Sequence, residues 1–256
     1  MEPIQLQIAS DIHFEHRFFP YEHIINPVGN VLALLGDIDS VFSSNLPKFL
    51  KWCKSRFNHV LYVPGNHEFY SPSTTKPVTI TEITQKLKDM CDQIGVTLLQ
   101  NSHVDIGDVR FIGSTLWSYV PHEYKELVKA HLNDYRLIFK TPNKCIDVND
   151  TVAEYCKSRD YITKTIANTK NKKIVVLTHH APSLYKTSSP KYALKPTTTG
   201  FASHLPYTPG IIRLWCSGHT HYNFHHSVQG YELISNQFGY FDNPIRGYKS
   251  DLVITI

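Results

Sequence analysis

Residues 31–37 read Val31-Leu32-Ala33-Leu34-Leu35-Gly36-Asp37: five apolar side chains without interruption, then a glycine and an acid. A continuous run of this length, rather than an alternating one, marks a strand buried on both faces. Gly36-Asp37 is turn chemistry, so the acid stands where the chain leaves the strand. The pattern recurs. Ile4, Leu6 and Ile8 alternate with Gln5 and Gln7 as in a strand, and the segment ends at Ser10-Asp11-Ile12-His13. Residues 59–63 read as a third strand ending at Pro64-Gly65-Asn66-His67. Residues 174–177 and 214–216 read as two more, ending at Thr178-His179-His180-Ala181-Pro182 and Ser217-Gly218-His219-Thr220-His221.

Helical periodicity lies between these strands. Leu46, Phe49, Leu50 and Cys53 share one face of a helix capped by Asn45 or Ser44. Ile80, Ile83, Leu87, Met90 and Ile94 predict a helix over 79–94, ended by Gly95. A third is predicted near 152–167, with Asn149 or Asp150 as its cap. Two hairpins are expected, 104–106 with 109–112 across Gly107-Asp108 and 224–228 with 231–235 across Gln229-Gly230. Residues 252–256 read as a closing strand. Alternating strand and helix, followed by hairpins, gives an α/β architecture with at least one mixed sheet. Residues 183–209 are rich in Pro, Ser, Thr, Lys and Tyr and lack periodicity. They predict a long loop between two of the polar strand ends, expected to border a site and shape substrate choice.

Composition narrows the class. With 41% hydrophobic and 19% charged residues, the chain is neither disordered nor fibrous. We expect one domain over 1–256. The apolar runs of four to five residues are far short of the ~20 that cross a bilayer, so no membrane span is expected. The start lacks a basic segment followed by an apolar one, so no signal peptide is expected either. Five cysteines, Cys53, Cys91, Cys145, Cys156 and Cys216, form no CxxC pair, which fits a reducing, cytoplasmic compartment. A net charge of +4 is compatible with an anionic substrate and decides nothing more.

The five polar strand ends would pool in one crevice, because ligands of open α/β sheets bind beyond the carboxyl ends of strands. They supply two carboxylates, one amide oxygen and several of the fifteen histidines, without a thiolate. Mixed oxygen and nitrogen donors suit Mn²⁺, Fe or Zn²⁺, with Mn²⁺ the first expectation. Seven such donors exceed the needs of one tetrahedral ion and match two if a carboxylate bridges them. Two such ions can clamp a phosphoryl group and activate a water. His67 directly follows Asn66 and need not point at the same ion, which leaves it free for proton chemistry.

These blocks, Asp11-Ile12-His13, Gly36-Asp37, Gly65-Asn66-His67-Glu68, Thr178-His179-His180-Ala181-Pro182 and Gly218-His219-Thr220-His221, resemble in order and spacing the signature of calcineurin-like metallophosphoesterases. Thr115-Leu116-Trp117, Asn133-Asp134-Tyr135-Arg136 and residues 178–183 resemble a bacterial and phage-type branch. The resemblance implies a four-layer α/β/β/α sandwich with two mixed central sheets. It implies that Asp11, His13 and His221 bind one metal, that Asp37 bridges both, and that Asn66, His179 and His219 complete the second. It implies hydrolysis of a phosphate ester by a metal-bridged hydroxide, with His67 protonating the leaving oxygen or stabilising transition-state charge. One departure concerns His67. Many members read Gly-Asp-x-x-Asp, whose last acid orients that histidine, and here Ser40 stands at the acid position with Asp39 one residue early.

The neighbours of these blocks read as structural. His180 should point away from His179 and pack, Glu68 should cap backbone, and Trp117 and Trp215 should be core. His225 and His226 belong to a hairpin strand. Arg136 and Arg17 are candidates for holding a phosphate, with a salt bridge the competing reading for Arg136. The expected substrate is a phosphodiester of nucleotide type. A phosphomonoester, including a Ser/Thr phosphoprotein, is the alternative, although Phe69-Tyr70 replace the arginine that follows this block in such phosphatases. A non-catalytic scaffold on the same fold is the remote third reading, and the complete donor set weighs against it. Lys and Arg are scattered, so an extended nucleic-acid track is not expected. The sequence does not indicate the oligomeric state.

Overall fold

The structure, a computed structural model, describes residues 3–17, 19–205, 212–228, 230–241 and 243–256. Two mixed sheets dominate it. In the first, β1 (Gln5–Ala9), β2 (Val31–Leu34), β3 (His59–Tyr62) and β4 (Thr97–Leu98) run parallel, and β15 (Val253–Thr255) lies antiparallel beside β1. In the second, β6 (Val109–Ser114), β9 (Lys173–Thr178), β10 (Ile212–Cys216) and β12 (Tyr231–Ile234) are parallel. The antiparallel strands β5 (Ser102–Ile106) and β11 (His225–Val228) form its edges. Two ribbons stand apart, β7 (Phe139–Thr141) with β8 (Lys144–Cys145) and β13 (Gly239–Tyr240) with β14 (Asn243–Pro244).

Period-2 geometry sorts the core into layers. Leu6, Ile8, Val31, Ala33 and Leu61 of the first sheet meet Phe111, Val175, Leu177 and Leu214 of the second in one buried cluster. The alternate residues Leu32, Leu34, Val60 and Tyr62 face outward onto α2 (Leu46–Lys54) and α3 (Ile80–Ile94). On the other side Ile112, Val176 and Trp215 are covered by Tyr155, Ile162 and Ile166 of α6 (Val148–Asn168). The result is the four-layer α/β/β/α sandwich. Short helices α1 (Tyr21–Ile24), α4 (Lys125–His131) and α5 (Asp134–Leu137) lie in the connections and lack a period long enough to read from sequence.

Local chemistry explains where elements begin and end. Thr79 and Glu82 form a reciprocal capping box on α3, and Gly95 closes it in the left-handed region at φ 80°. Helix α6 starts earlier than the periodicity suggests. Its cap is Asp147, whose carboxylate accepts from the Asn149 and Asp150 amides, while Asp150 reaches back as the third residue of the box. Asn45 precedes α2 but does not cap it with its side chain. Its amide is drawn away by Tyr21 Oη and by Asp39. Gln7 is also unlike its sequence reading. The alternation places it on a polar face, yet it is buried, with its amide donating to the Asn26 and Ser250 carbonyls and accepting from the Val28 and Gly29 amides. The Gly107-Asp108 hairpin forms as expected. The second hairpin pairs β11 with β12, and its turn residue Gln229 lies outside the described residues.

Candidate metal centre and active-site cleft

Strands β1, β2, β3, β9 and β10 all end at the same rim, and hydrogen bonds fasten their exits to one another. The Asp11 amide donates to the Gly36 carbonyl, the His13 amide to Asp37 and the Gly218 amide to His179. Two groups of side chains converge there: Asp11, His13 and His221 in one, Asp37, His179 and His219 in the other. His13 Nε2 is 3.1 Å from His221 Nε2, and His179 Nε2 is 3.1 Å from His219 Nδ1. Asp37 stands between the groups, with one oxygen 3.4 Å from His179 Nε2 and the other 3.8 Å from His13 Nε2. Asn66 Oδ1 is 3.0 Å from His179 Nε2.

The backbone there is unusual. Asp11, His13, Asp37, His219 and His221 all have positive φ, between 48° and 67°. Non-glycine residues adopt this region only where the surroundings impose it. Extended backbone would have aligned His13 with Asp11 and His221 with His219, two residues apart, but these turns are not extended. Asp11 and His13 do converge, but His219 and His221 diverge into different groups. Tight turns of this kind also need room. A Cβ on Gly65 would lie 2.2 Å from Asp37 Oδ1, and one on Gly36 would lie 2.4 Å from the Gly65 amide nitrogen.

Glu68 fixes these turns. Its carboxylate accepts from the amides of Asp37, Ile38 and Gly65 and from Tyr62 Oη, at 2.7–2.9 Å. Burial and the neighbouring Asp37 push its carboxyl up to about 7. His180 packs on His219 with ring centres 4.0 Å apart, and Trp117 and Trp215 are core. Arg136 is a structural residue, donating to the Ala130 carbonyl and to Asn133.

Outer partners fix which nitrogen faces inward. His179 Nδ1 donates to the Leu35 carbonyl at 2.7 Å, so Nε2 presents its lone pair to the centre. His13 Nδ1 donates to Glu15 at 2.9 Å with the same effect. Asn66 is held by Asp134, whose carboxylate accepts from Asn66 Nδ2 at 2.8 Å and from Tyr70 Oη at 2.7 Å. That orients the amide oxygen toward His179. Lone pairs meeting in pairs at 3.1 Å, beside two buried carboxylates, make a donor set that suits cations. Burial would raise the Asp37 carboxyl, but the surrounding His179, His67 and His13 imidazoles outweigh it and hold it well below the usual range.

His67 points its Nε2 to within 3.9 Å of Asp37, and its Nδ1 is 2.9 Å from Glu15 Oε1. Glu15 is thus the carboxylate that orients His67. Ser40 does not, and Asp39 accepts instead from Asn45 and the Ser40 amide. Burial would raise the Glu15 carboxyl, but the His13 and His67 hydrogen bonds hold it at about 2. Burial would lower His67, but Asp37 and Glu15 raise it to about 9. Sequence reasoning missed Glu15, Asp134, Tyr70 and Tyr240. Asp134 was marked by its four-residue block and Glu15 by its place two residues after His13. Tyr70, stacked on His67 at 4.3 Å, and Tyr240, 4.4 Å from the His13 ring, carried no sequence signal.

The centre opens into a cavity of ≈ 440 Å³ lined by Tyr70, Asn133, Tyr192, Phe201 and Tyr240 as well as the polar cluster. A second cavity of ≈ 600 Å³ adjoins it and shares His67, Tyr70, Asn133 and Tyr240. Part of the 183–209 segment does border the centre. Ser188, Tyr192, Thr197, Thr198 and Phe201 line the first cavity, and Phe201 stacks on His219 at 4.8 Å. Residues 206–209 lie outside the described residues.

Paired His/Asp clusters able to hold cations at the carboxyl ends of a two-sheet sandwich, beside a carboxylate-braced histidine, suit a metal-dependent phosphate-ester hydrolase. The sequence model of the calcineurin-like phosphoesterases matches residues 6–223, and the chain belongs to that family. The family is dinuclear-metal-dependent. An uncharacterised protein of Acanthamoeba polyphaga mimivirus is 32% identical over 221 residues, covering 82% of this chain and 78% of that one. The phosphopantetheinyl hydrolase of Mycobacterium tuberculosis superposes with a TM-score of 0.76 at 16% identity, over 98% of this chain and 95% of that one. A dimetal phosphatase from Danio rerio superposes with a TM-score of 0.54 at 11% identity, over 96% and 91%. At these identities the two structures show the shared fold. Among the described residues no helix is long and apolar enough to cross a membrane.

Proposed function

We propose that the chain is a phosphodiesterase acting on a nucleotide-type substrate. The observation that carries this reading is the lining of the central cavity. Among the described residues it holds aromatic rings but no Lys or Arg. A monoester dianion calls for guanidinium or ammonium partners beyond the metals, whereas a diester carries a single negative charge. The adjoining cavity on the far side of His67 gives the second ester substituent a place.

The proposed ligand set is Asp11, His13 and His221 for one ion and Asn66, His179 and His219 for the other, with Asp37 shared. Mn²⁺ is the first candidate, and Fe or Zn²⁺ are alternatives. Bound ions supply Lewis acidity toward the phosphoryl oxygens and the attacking water. The chain's own residues do the rest. Asp134 and Leu35 set the donor atoms of Asn66 and His179. Glu15 holds His67 by its Nδ1, so that Nε2 carries the proton delivered to the leaving oxygen. Tyr70 and Tyr240 flank that path and limit water. The family match over 6–223 and the continuous core between the sheets support one domain, and the five free cysteines support a reducing, cytoplasmic setting.

The test is hydrolysis of bis-p-nitrophenyl phosphate against p-nitrophenyl phosphate by Mn²⁺-loaded protein, with an EDTA control. Diester preference is expected. A monoester preference would overturn the reading in favour of a phosphomonoesterase.

A further inference from the structure

The cations missing from the central cavity stand at the two ends of the cleft, each laid on an aromatic ring. At one end Arg17 lines the second cavity with its guanidinium carbon 3.6 Å from the centre of the Phe241 ring, and Phe19 is 5.8 Å from it. Among the described residues Arg17 makes no ion pair and no side-chain hydrogen bond. At the other end Tyr192 lines the first cavity and carries Lys191 and Lys195 over its ring, at 5.2 and 5.0 Å. Between them lie the metal-ligand cluster, His67 and the exposed edges of Tyr70 and Tyr240. The order along the cleft is therefore cation on aromatic, a centre of metal-ligand side chains flanked by tyrosines and without Lys or Arg, cations on aromatic.

A substrate matching that order has one phosphate at the centre and a further anion on each side, joined by groups that stack. Guanidinium held flat on a ring keeps its donor edge for phosphate oxygens while losing little freedom on binding. Ammonium groups beside a half-exposed tyrosine suit a backbone phosphate with its base against the ring. We propose that the cleft takes a short single-stranded oligonucleotide, with the scissile phosphodiester at the metal centre and the flanking phosphates on Arg17 and on Lys191 and Lys195. This rests on the phosphodiesterase reading and adds the substrate's length and charge to it. One phosphate at the centre and one at each end site make three, so an extended basic track is not needed and the scattering of the other basic residues is no obstacle.

The experiment compares kcat/KM for the dinucleotide TpT and the tetranucleotide TpTpTpT with Mn²⁺-loaded protein. The variants are Arg17→Gln and the double substitution Lys191→Gln with Lys195→Gln. Wild type is expected to prefer the longer substrate by ten-fold or more, and raising salt should erode that preference. Each variant is expected to lower the long-to-short ratio at least three-fold. Equal kcat/KM for the two lengths in wild type, or a wild-type ratio in both variants, would overturn the proposal. Failure of the underlying reading looks different, because the protein would then cleave p-nitrophenyl phosphate but neither oligonucleotide. In that case the oligonucleotides serve as inhibitors of monoester cleavage. Length-dependent inhibition that weakens in the variants would uphold the end sites without the diesterase, and length-independent inhibition would remove both.

Discussion

Glu15 Oε1 lies 2.9 Å from His67 Nδ1, and the same oxygen lies 2.9 Å from His13 Nδ1. One carboxylate therefore steers both a proposed metal ligand and the proposed proton donor. Removing it in Glu15→Ala should lower kcat about 10–100-fold, the usual loss for an outer partner of a metal-site histidine. His67→Ala should cost more, about 10²–10⁴-fold, while metal content stays at the wild-type level. Steady-state kinetics with elemental analysis separate the two. A His67→Ala protein of normal turnover would remove the role assigned to that side chain.

Asp134 makes a second forecast. Its carboxylate keeps the Asn66 oxygen turned toward His179. Asp134→Ala should free the amide to rotate and weaken metal binding about 10–100-fold. Titration of EDTA-stripped protein with Mn²⁺, followed by activity, reads this directly. Unaltered metal affinity would show that Asn66 is held by something else.

The turn glycines make a stability forecast. A methyl group on Gly65 would collide with Asp37 Oδ1, at 2.2 Å from the added carbon. Gly65→Ala should lose at least about 1–3 kcal/mol, as in overpacked cores, together with metal binding. Urea unfolding checks the first effect. A midpoint equal to wild type would mean that the turn can yield.

Protonation gives a pH forecast for EDTA-treated protein. His67 is held up at about 9 against an ordinary value of 6.5, so the proton-bound form is favoured in the folded state. Its contribution is complete below about pH 6.5 and is lost as pH rises through about 9. Glu15 has the opposite sign. Held down at about 2 from 4.5, it contributes fully above about pH 4.5, and that contribution fades as pH falls toward 2. These two groups lower the urea midpoint of the metal-free protein below about pH 4.5 and above about pH 6.5, and Glu68, held up at about 7, adds a loss as pH rises from about 4.5 through 7, so the highest midpoint is expected near pH 4.5. A midpoint that climbs steadily from pH 6.5 to 9 would contradict the His67 part.

Much of this was legible in the sequence because its signals were local. The uninterrupted run 31–35 and the alternation at Ile4, Leu6 and Ile8 announce strands through burial alone. Acids and histidines at strand exits announce the rim. Glu15 was harder, because its link to His67 crosses 52 positions and depends on the left-handed turn at His13. Asp147 was passed over as a cap because the apolar period of α6 becomes regular only a turn later. Gln7 looked solvated because nothing local shows that residues 26–29 and Ser250 will fold over it. Tyr240 comes from a two-residue strand near the end of the chain, too short for any periodic signature.

Five of the seven donor residues sit in a backbone conformation that glycine would tolerate better. At about 1–3 kcal/mol for each residue held there, the sum rivals the whole net stability of an ordinary domain. Selection for mere robustness would favour glycine at those positions, and selection for catalysis forbids it. The rim is thus where fitness and durability part company. A His221→Gly protein, relieved of one strained turn and of one imidazole, should be inert yet harder to melt once metal is stripped from both proteins.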